Sequence, residues 1–384
     1  MIASFSRLRR LREGDRFSGG GSLGSKDGLP QSPVCALVPA PPEGGAYKEE
    51  NNMEEIITLD YGSGGKKTAR LIESLLVPAF SNPALDALGD GALLDGAERL
   101  AFSTDSFVVD PIFFPGGDIG KLAVCGTVND LAVCGAVPKY LSCALIIEEG
   151  LPWKDLERVV ESLKAAAEKA GVQVVTGDTK VVEKGRGDKL YINTAGIGFL
   201  KYPGLSPQNL RPGDKVIVSG TVGDHGTAVM LARSGMMQGE LRSDCAALNG
   251  LCEVILSAGA AVRVLRDPTR GGVATTLNEF VEGTELGIEI KEDFIPVRPQ
   301  VRAACDMLGL EPLYCANEGK LLAVVDPADE ARVLEAMRGT DEGRDAAVIG
   351  TVTADNPGRL VMKTGFGGKR ILQKLSGAQL PRIC

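Results

Sequence analysis

Two kinds of residue in this sequence have the chemistry to react or to bind charge: a cysteine at the last position and a set of carboxylates in glycine-containing loops. Cys384 follows the run 380–383, LPRI. A terminal residue gains little from packing, and the thiolate is a strong nucleophile. We therefore expect an accessible, reactive thiol at Cys384. A frayed tail that merely stops at cysteine is the alternative.

The approach to Cys384 is rich in glycine. Residues 364–370 read TGFGGKR, a composition that predicts a hinge. Fully extended, the chain from Phe366 to Cys384 spans at most roughly 60 Å. We therefore expect residues 365–384 to form a flexible tail that moves between a pocket on the body and a partner outside it.

The acidic loops lie upstream, in the first half of the chain. Asp105 and Asp178 follow apolar runs, so we expect both at the exits of strands, whereas Asn129 and Asp130 lie in a helical pattern that starts near Asp118. Each alone is typical of a solvated turn. Together they offer the hard oxygen ligands that Mg²⁺ takes alongside substrate phosphates. The candidate metal ligands are Asp90, Asp105, Asp130 and Asp178.

A glycine-rich loop precedes the first predicted helix. Residues 60–68 read DYGSGGKKT, and such a loop can offer backbone amides to a phosphate through Gly64, Gly65 and Lys66. The spacing is not that of a Walker A loop. A simple strand-to-helix turn explains the loop equally well.

The second half of the chain carries further polar clusters. The stretch 220–226, GTVGDHG, is a second strand-to-helix loop with potential anion-binding amides. Arg270 precedes a predicted helix, and Glu318 lies in NEGK, between short strands. Ordinary surface charge is the alternative for both.

Composition excludes several classes of function. The 384 residues carry a formal net charge of −8 without a basic run in the predicted folded part, which disfavours a nucleic-acid surface. No apolar stretch is long enough to predict a membrane span. The nine cysteines lack paired CxxC spacing, so we expect most to be buried hydrophobes, as at Cys125, Cys134, Cys143 and Cys305. The single histidine, His225, disfavours a catalytic triad.

The chain divides into four parts. Residues 1–52 lack periodicity and are predicted to be a disordered or non-native extension, with Met53 as the functional start before a strand at 56–59. Two α/β halves follow, at 53–203 and 204–364, and then the tail. Pro152 and Gly171 delimit the clearest predicted helix.

These motifs resemble the HypE family of hydrogenase expression/formation proteins, within the aminoimidazole-ribonucleotide-synthetase-like ATP-binding superfamily. The matching stretches are 103–136, GDTKVV at 177–182, SGTVGDHG, DPTRGG, NEGK and the terminal PRIC. The resemblance implies an α/β (α+β) fold of two domains. The first would pair across a homodimer into a shared β-barrel with ATP nearby, and the second would be an α/β sandwich.

The resemblance also implies an activity. Cys384 would receive a carbamoyl group from the carbamoyltransferase HypF, and ATP would drive its dehydration to a thiocyanate. The cyanide would pass to iron held by a HypC–HypD pair, in the cytoplasm, without nucleic acid or membrane.

The resemblance implies roles for particular residues. Lys180, Glu318 and Arg270 would assist the chemistry at Cys384, with Glu318 as a general base. ATP and Mg²⁺ would be held by Gly64, Gly65, Lys66, Asp90, Asp105, Asn129, Asp130, Gly177, Asp178 and Thr179.

Other functions remain open at this point. A kinase similar to selenophosphate synthetase would carry Cys or selenocysteine in the first glycine loop, and residues 61–68 have neither. A synthetase of purine biosynthesis would not need the tail. A scaffold that only binds nucleotide predicts no turnover and no covalent change at Cys384.

Overall fold

The structure is a computed structural model, and it describes residues 56–89, 91–235, 241–375 and 382–384. The expectations for residues 1–52, Met53 and Asp90 lie outside these ranges. The helices are α1 (Lys66–Leu71), α2 (Val77–Phe80), α3 (Ile119–Val133), α4 (Trp153–Ala170), α5 (Asp224–Ser234), α6 (Asn249–Ser257), α7 (Gly272–Val281), α8 (Pro299–Leu308) and α9 (Glu330–Arg338). The strands are β1 (Leu100–Phe107), β2 (Phe113–Phe114), β3 (Gly117–Asp118), β4 (Ala136–Glu148), β5 (Gln173–Val182), β6 (Leu190–Leu200), β7 (Lys215–Val218), β8 (Val262–Arg266), β9 (Gly287–Lys291), β10 (Leu322–Val325), β11 (Ala347–Thr353), β12 (Leu360–Lys363) and β13 (Lys369–Leu372).

The first half is a four-stranded sheet covered on one face by helices. The strand order is β1-β6-β4-β5, and only β4 and β5 run parallel. Helices α3 and α4 pack on one face and bury its apolar side chains. Phe102 is 70% exposed on the other face, two residues from the exposed Leu100 on the same strand. The described residues of one chain therefore leave apolar side chains exposed on this sheet face.

The second half is a sandwich around a seven-stranded sheet. Its order is β13-β12-β9-β11-β7-β10-β8. Helix α7 packs on one face, and α6 and α9 pack on the other. Ala132 and Val133 at the end of α3 join the α6 side, which fastens the two halves together.

Local signals predicted the helix ends well. Asp118 caps α3 by accepting hydrogen bonds from the N–H groups of Gly120 and Lys121. Helix α4 begins directly after Pro152 and ends at Gly171, whose φ of 70° is left-handed. Both helices confirm the sequence expectation.

Three expectations about backbone structure were wrong. Residues 56–59 form an isolated bridge at Ile56 and then enter a 3-10 helix, Leu59–Gly62, instead of a strand. Asp105 and Asp178 lie inside β1 and β5, not at strand exits. The segment 364–368 is a hairpin turn closed by the Thr364 N–H donating to the Gly368 carbonyl. Since β13 follows and pairs with β12, the glycines before it form this turn and not a hinge.

Candidate functional site

A cluster of charged side chains, which we call the acidic cluster, lies where the two halves meet. Its members are Asp105, Asp130, Asp267, Arg270 and Glu318. Asp105 projects from β1 and Asp130 from α3, where the Ser103 hydroxyl donates to Asp130 Oδ2 over 2.7 Å. Burial raises the pKa of Asp105, and the charge of Asp130 raises it further, while Arg270 opposes the shift. The structure therefore brings together two predicted metal ligands and one predicted catalytic residue.

Asp267 belongs to the same cluster, although sequence reasoning did not select it. It follows β8 directly in the DPTRGG motif. Burial, and then the charge of Asp130, raise the pKa of Asp267 to about 7. Its position at a strand exit was the signal that could have found it, because the same rule selected Asp105.

Glu318 is the most deeply buried acid of the cluster. It is 3% exposed, and within the described part of the chain its Oε1 atom has no hydrogen-bond partner. Burial raises the pKa of Glu318 well above its usual range, with further contributions from Asp267 and Asp244. A carboxyl group with a raised pKa is a stronger proton acceptor once it ionises.

The segment 241–248, which we call the strap, holds the backbone of Glu318. The Glu318 N–H donates to Asp244 Oδ1 over 3.2 Å, and the Ala246 N–H donates to the Glu318 carbonyl over 3.2 Å. Asn129 joins the strap to α3, because its side chain donates to the Ala246 carbonyl and accepts from the Leu248 N–H. The amide of Asn129 is thus engaged with the protein backbone, whereas the sequence predicted it as a nucleotide ligand.

Gly319 lets the strap approach Glu318 closely. A Cβ atom at Gly319 would lie 1.8 Å from the Asp244 carbonyl oxygen. We expect Gly319→Ala to displace the strap and to lower the free energy of unfolding by about 1–3 kcal/mol, measured by urea denaturation. Gly250→Ala is the matched control, because a Cβ there meets nothing within 4 Å in the described chain. Equal stability of the two variants would contradict this account.

The end of the chain is docked on the body. The Val108 N–H donates to the Cys384 carbonyl over 3.1 Å, and the Asp110 N–H donates to the Arg382 carbonyl over 3.3 Å. These two bonds add the last residues as an antiparallel extension beyond β1. The Arg382 side chain also pairs with Asp188 over 2.9 Å. The docked Arg382 has a φ of 54°, a left-handed conformation that costs energy for a residue with a side chain.

Docking brings Cys384 into the acidic cluster. Burial and then the charge of Glu318 raise the pKa of the Cys384 thiol to about 12, with Arg270 opposing the shift. Cys384 is partly exposed in this position, and its raised pKa means that less of the docked thiol is present as the nucleophilic thiolate. The expected reactivity of Cys384 stays a prediction. Cys134 also differs from expectation: it is exposed, whereas Cys125, Cys143 and Cys305 are buried as predicted.

Other predicted site residues lie at the opposite edge of the first sheet. Asp105 pairs with Thr194, Thr194 with Cys143, and Cys143 with Gly177. Gly177 is therefore three strand spacings from Asp105, roughly 14 Å.

At that edge, Lys180 pairs with Asp178. The Lys180 Nζ atom lies 2.6 Å from Asp178 Oδ1, and the Thr179 N–H donates to the same oxygen. At Gly177, a Cβ would lie 2.3 Å from the Cys143 carbonyl oxygen, so close strand packing already accounts for this glycine. One chain by itself does not bring Lys180 to Cys384.

The glycine-rich loop occupies a further position. Gly64 has a φ of 79°, and its N–H donates to the Thr68 hydroxyl over 3.0 Å. Gly65 caps α1, and Lys66 starts it in an exposed position. The loop therefore precedes a helix as predicted. Among the described residues, no three His, Cys, Asp or Glu side chains converge closely enough to hold a metal ion by themselves.

Both halves of the chain match known protein families. Residues 88–200 match the N-terminal domain, and residues 211–363 the C-terminal domain, of the AIR synthase related proteins. A carbamoyl dehydratase HypE of Azotobacter vinelandii is 51% identical over 333 residues, covering 85% of this chain and 97% of that protein.

Two solved structures are similar. A HypE structure in complex with ATP has a TM-score of 0.82 and 49% identity, over 85% of this chain and 99% of that one. A HypE–HypF complex has a TM-score of 0.69 and 48% identity, over 79% of this chain and 99% of that one. In the part of the chain that the structure describes, no helix is both long and apolar enough to cross a bilayer.

Proposed function

Since the chain belongs to the HypE family of hydrogenase expression/formation proteins, we propose that it is an ATP-dependent carbamoyl dehydratase acting on its own Cys384. The position of Cys384 carries this proposal: its thiol lies at the junction of the two domains, within the electrostatic reach of Glu318, Arg270 and Asp105. A scaffold that only binds nucleotide would not require a thiol there.

The proposed reaction has two stages. We keep the word tail for residues 382–384, since β13 fixes the earlier part of the predicted tail in the sheet. With the tail released, the Cys384 thiolate accepts a carbamoyl group from a HypF-type carbamoyltransferase, giving a thiocarboxamide. With the tail docked, the thiocarboxamide oxygen attacks the γ-phosphorus of ATP, ADP leaves, and one N–H proton is lost. Loss of the second N–H proton and of phosphate then forms the carbon–nitrogen triple bond of a thiocyanate. The balance is thiocarboxamide plus ATP to thiocyanate, ADP and phosphate.

Residues of the cluster could accept the protons and stabilise the charges of this reaction. Glu318 is buried beside Cys384 and is proposed to accept an N–H proton. Arg270 is proposed to offset negative charge that develops on the transferred phosphoryl group. Lys180 is also proposed to offset this negative charge. Because Lys180 lies far from Cys384 in one chain, this role requires that Lys180 come from a partner chain or act on the bound nucleotide.

Mg²⁺ fits the donor chemistry of the cluster. The Asp130 charge contributes to the raised pKa of Asp105, a repulsion that a divalent cation would relieve. Because no three carboxylates of the described chain converge, we propose that Asp105 and Asp130 hold the ion together with Asp90 and nucleotide phosphates, and that Asp178, at the opposite edge of the sheet, reaches the ion only from a partner chain. When bound, the ion neutralises phosphate charge. Gly64, Gly65, Lys66, Gly177 and Thr179 stay as proposed nucleotide contacts.

The uncovered sheet face supports a homodimer. We propose that two such faces meet to close the shared β-barrel, which would bury Phe102. We expect Phe102→Glu to weaken dimerisation at least about 100-fold, measured by analytical ultracentrifugation across a dilution series. Phe366→Glu is the control, because Phe366 is fully exposed in the 364–368 turn. Dimers of equal strength in both variants would exclude this face as the interface.

Membership of the HypE family also suggests partner proteins. A HypF-type carbamoyltransferase is the proposed donor, supported by the similarity to HypE in the HypE–HypF complex. We propose that a HypC–HypD pair in the cytoplasm accepts the cyanide.

Intact mass of the wild-type chain tests the proposed function. Incubation with a HypF-type donor, carbamoyl phosphate and Mg²⁺-ATP should add about 43 Da and then remove about 18 Da, the masses of a carbamoyl group and of water. A chain that binds ATP but keeps its mass beside an active donor would overturn the proposal.

A further inference from the structure

The only histidine in the sequence is buried against the docked tail. His225 lies at the start of α5 and has no exposed surface. Its Nε2 atom lies 2.7 Å from the Ile383 carbonyl oxygen, and its Nδ1 atom lies 2.8 Å from the Ser243 hydroxyl. His225 thus joins α5 and the strap to the residue immediately before Cys384.

The neighbouring hydrogen bonds determine the tautomer of His225. A carbonyl oxygen only accepts, so Nε2 must carry a proton and donate it to Ile383. The Cys245 N–H donates to the Ser243 oxygen over 3.0 Å, which leaves the Ser243 hydroxyl proton free to point at Nδ1. The Ser243 N–H donates to the Pro115 carbonyl over 2.8 Å, so the first domain holds the strap in turn. A neutral ring with its proton on Nε2 satisfies every group in this chain of bonds.

The hydrogen bond to the Ile383 carbonyl holds the backbone directly before Cys384. Ile383 is 4% exposed and packs in the core of the first half, and Cys384 is the next residue. The Val108 N–H fixes the Cys384 carbonyl on the other side. Hydrogen bonds to the carbonyls of Ile383 and Cys384 therefore hold the backbone around Cys384 beside the cluster that contains Glu318.

We propose that His225 is the positioning residue that latches the tail in its docked state, by donating an Nε2 hydrogen bond to the Ile383 carbonyl. The inference rests on the proposed function, because the docked state is the one assigned to dehydration. It does not make His225 a catalytic base. Released, the tail presents Cys384 to the carbamoyl donor; latched, it presents the thiocarboxamide to ATP.

Thiol protection tests the latch without nucleotide or donor. Full-length protein is treated with iodoacetamide, and Lys-C digestion then yields the peptide 375–384, on which alkylation of Cys384 is measured by mass spectrometry. The exposed Cys134 is an internal reference in the same molecule. We expect His225→Leu to raise the ratio of Cys384 to Cys134 alkylation about tenfold, since a buried carbonyl loses its donor.

Two variants separate the hydrogen bond from packing. His225→Gln keeps an N–H donor and should restore the ratio to within about threefold of wild type. Thr227→Val is the matched control, because Thr227 is buried on the same helix and contacts Cys305 instead of the tail. Equal alkylation in His225→Leu and Thr227→Val, or in His225→Leu and His225→Gln, would overturn the proposal.

A measurement on unaltered His225 covers the case in which its variants do not fold. With one histidine in the chain, its ¹⁵N NMR signals are unambiguous. Wild type should show the neutral Nε2–H tautomer, and Ile383→Asp, which expels the tail by charging a buried position, should show a different pair of shifts. An Nδ1–H tautomer in wild type, or identical spectra of the two proteins, would overturn the latch.

Measuring carbamoylation and dehydration separately distinguishes an error in the proposed role of His225 from an error in the proposed function. His225→Leu should take up the carbamoyl group at least as fast as wild type, because its tail is released more often, and should dehydrate it about tenfold more slowly. If wild type itself gains no mass, the proposed function fails while protection and NMR still decide on the latch. Equal dehydration rates in His225→Leu and wild type would overturn the positioning role.

Discussion

Cys384→Ser should gain neither the carbamoyl mass nor the later loss of water, while it still binds ATP. Serine is nearly isosteric with cysteine, so the docked backbone bonds from Val108 and Asp110 remain available. A hydroxyl is far less nucleophilic than a thiolate near neutral pH, so we expect modification to fall at least about 10³-fold. Intact mass spectrometry after incubation with the donor and Mg²⁺-ATP measures the first effect, and nucleotide titration measures the second.

Cys134→Ser is the control for this prediction. It makes the same chemical change at an exposed cysteine, whose pKa is raised by partial burial and by the charges of Asp130 and Asp267 but which has no proposed part in the chemistry, and it should be modified like wild type. Mass gain that persists in Cys384→Ser would place the acceptor elsewhere in the chain. Loss of ATP binding together with loss of modification would point to a damaged fold.

Glu318→Gln should accumulate the carbamoylated chain, because the step that fails is the removal of an N–H proton. Glutamine has the same shape and cannot accept that proton, so we expect dehydration to slow by about 10²–10⁴-fold while carbamoylation continues. The measurement is the time course of the carbamoylated and dehydrated masses in a single turnover. Glu311→Gln is the control, because Glu311 forms a surface ion pair with Arg370.

The pH dependence of dehydration gives a second test of Glu318. Burial and neighbouring carboxylates raise the pKa of Glu318 well above its usual range, so its basic form is scarce at low pH and grows as the pH rises. Dehydration of preformed thiocarboxamide should therefore speed up with pH until Glu318 is ionised, and this rise should vanish in Glu318→Gln. A wild-type rate that falls over the same pH range, or a Glu318→Gln rate close to that of wild type, would show that Glu318 is not the general base.

Docking and release resolve an apparent conflict between the two stages. The docked thiol has its pKa raised to about 12, which suppresses the thiolate needed for carbamoyl transfer. Under the proposed function, we therefore expect carbamoyl transfer to use a released tail and dehydration to use the docked one.

The sequence by itself determined the local features of this protein. Pro152 and Gly171 marked the ends of α4, and Asp118 marked the start of α3, because caps and turns depend on residues a few positions apart. The motifs around Arg270, Glu318 and Cys384 also identified three members of the cluster at the domain junction. These are residue types whose chemistry is visible without knowing their neighbours.

Only the tertiary structure decided which of these residues meet. Asp105 and Asp178 were similar in sequence context, yet β1 and β5 are opposite edges of one sheet. Asp267 and Asp130 interact although they are distant in sequence, and His225 finds its partner at Ile383. Strand order and domain packing set such contacts, and they arise from the burial of whole faces, which no short stretch of sequence encodes.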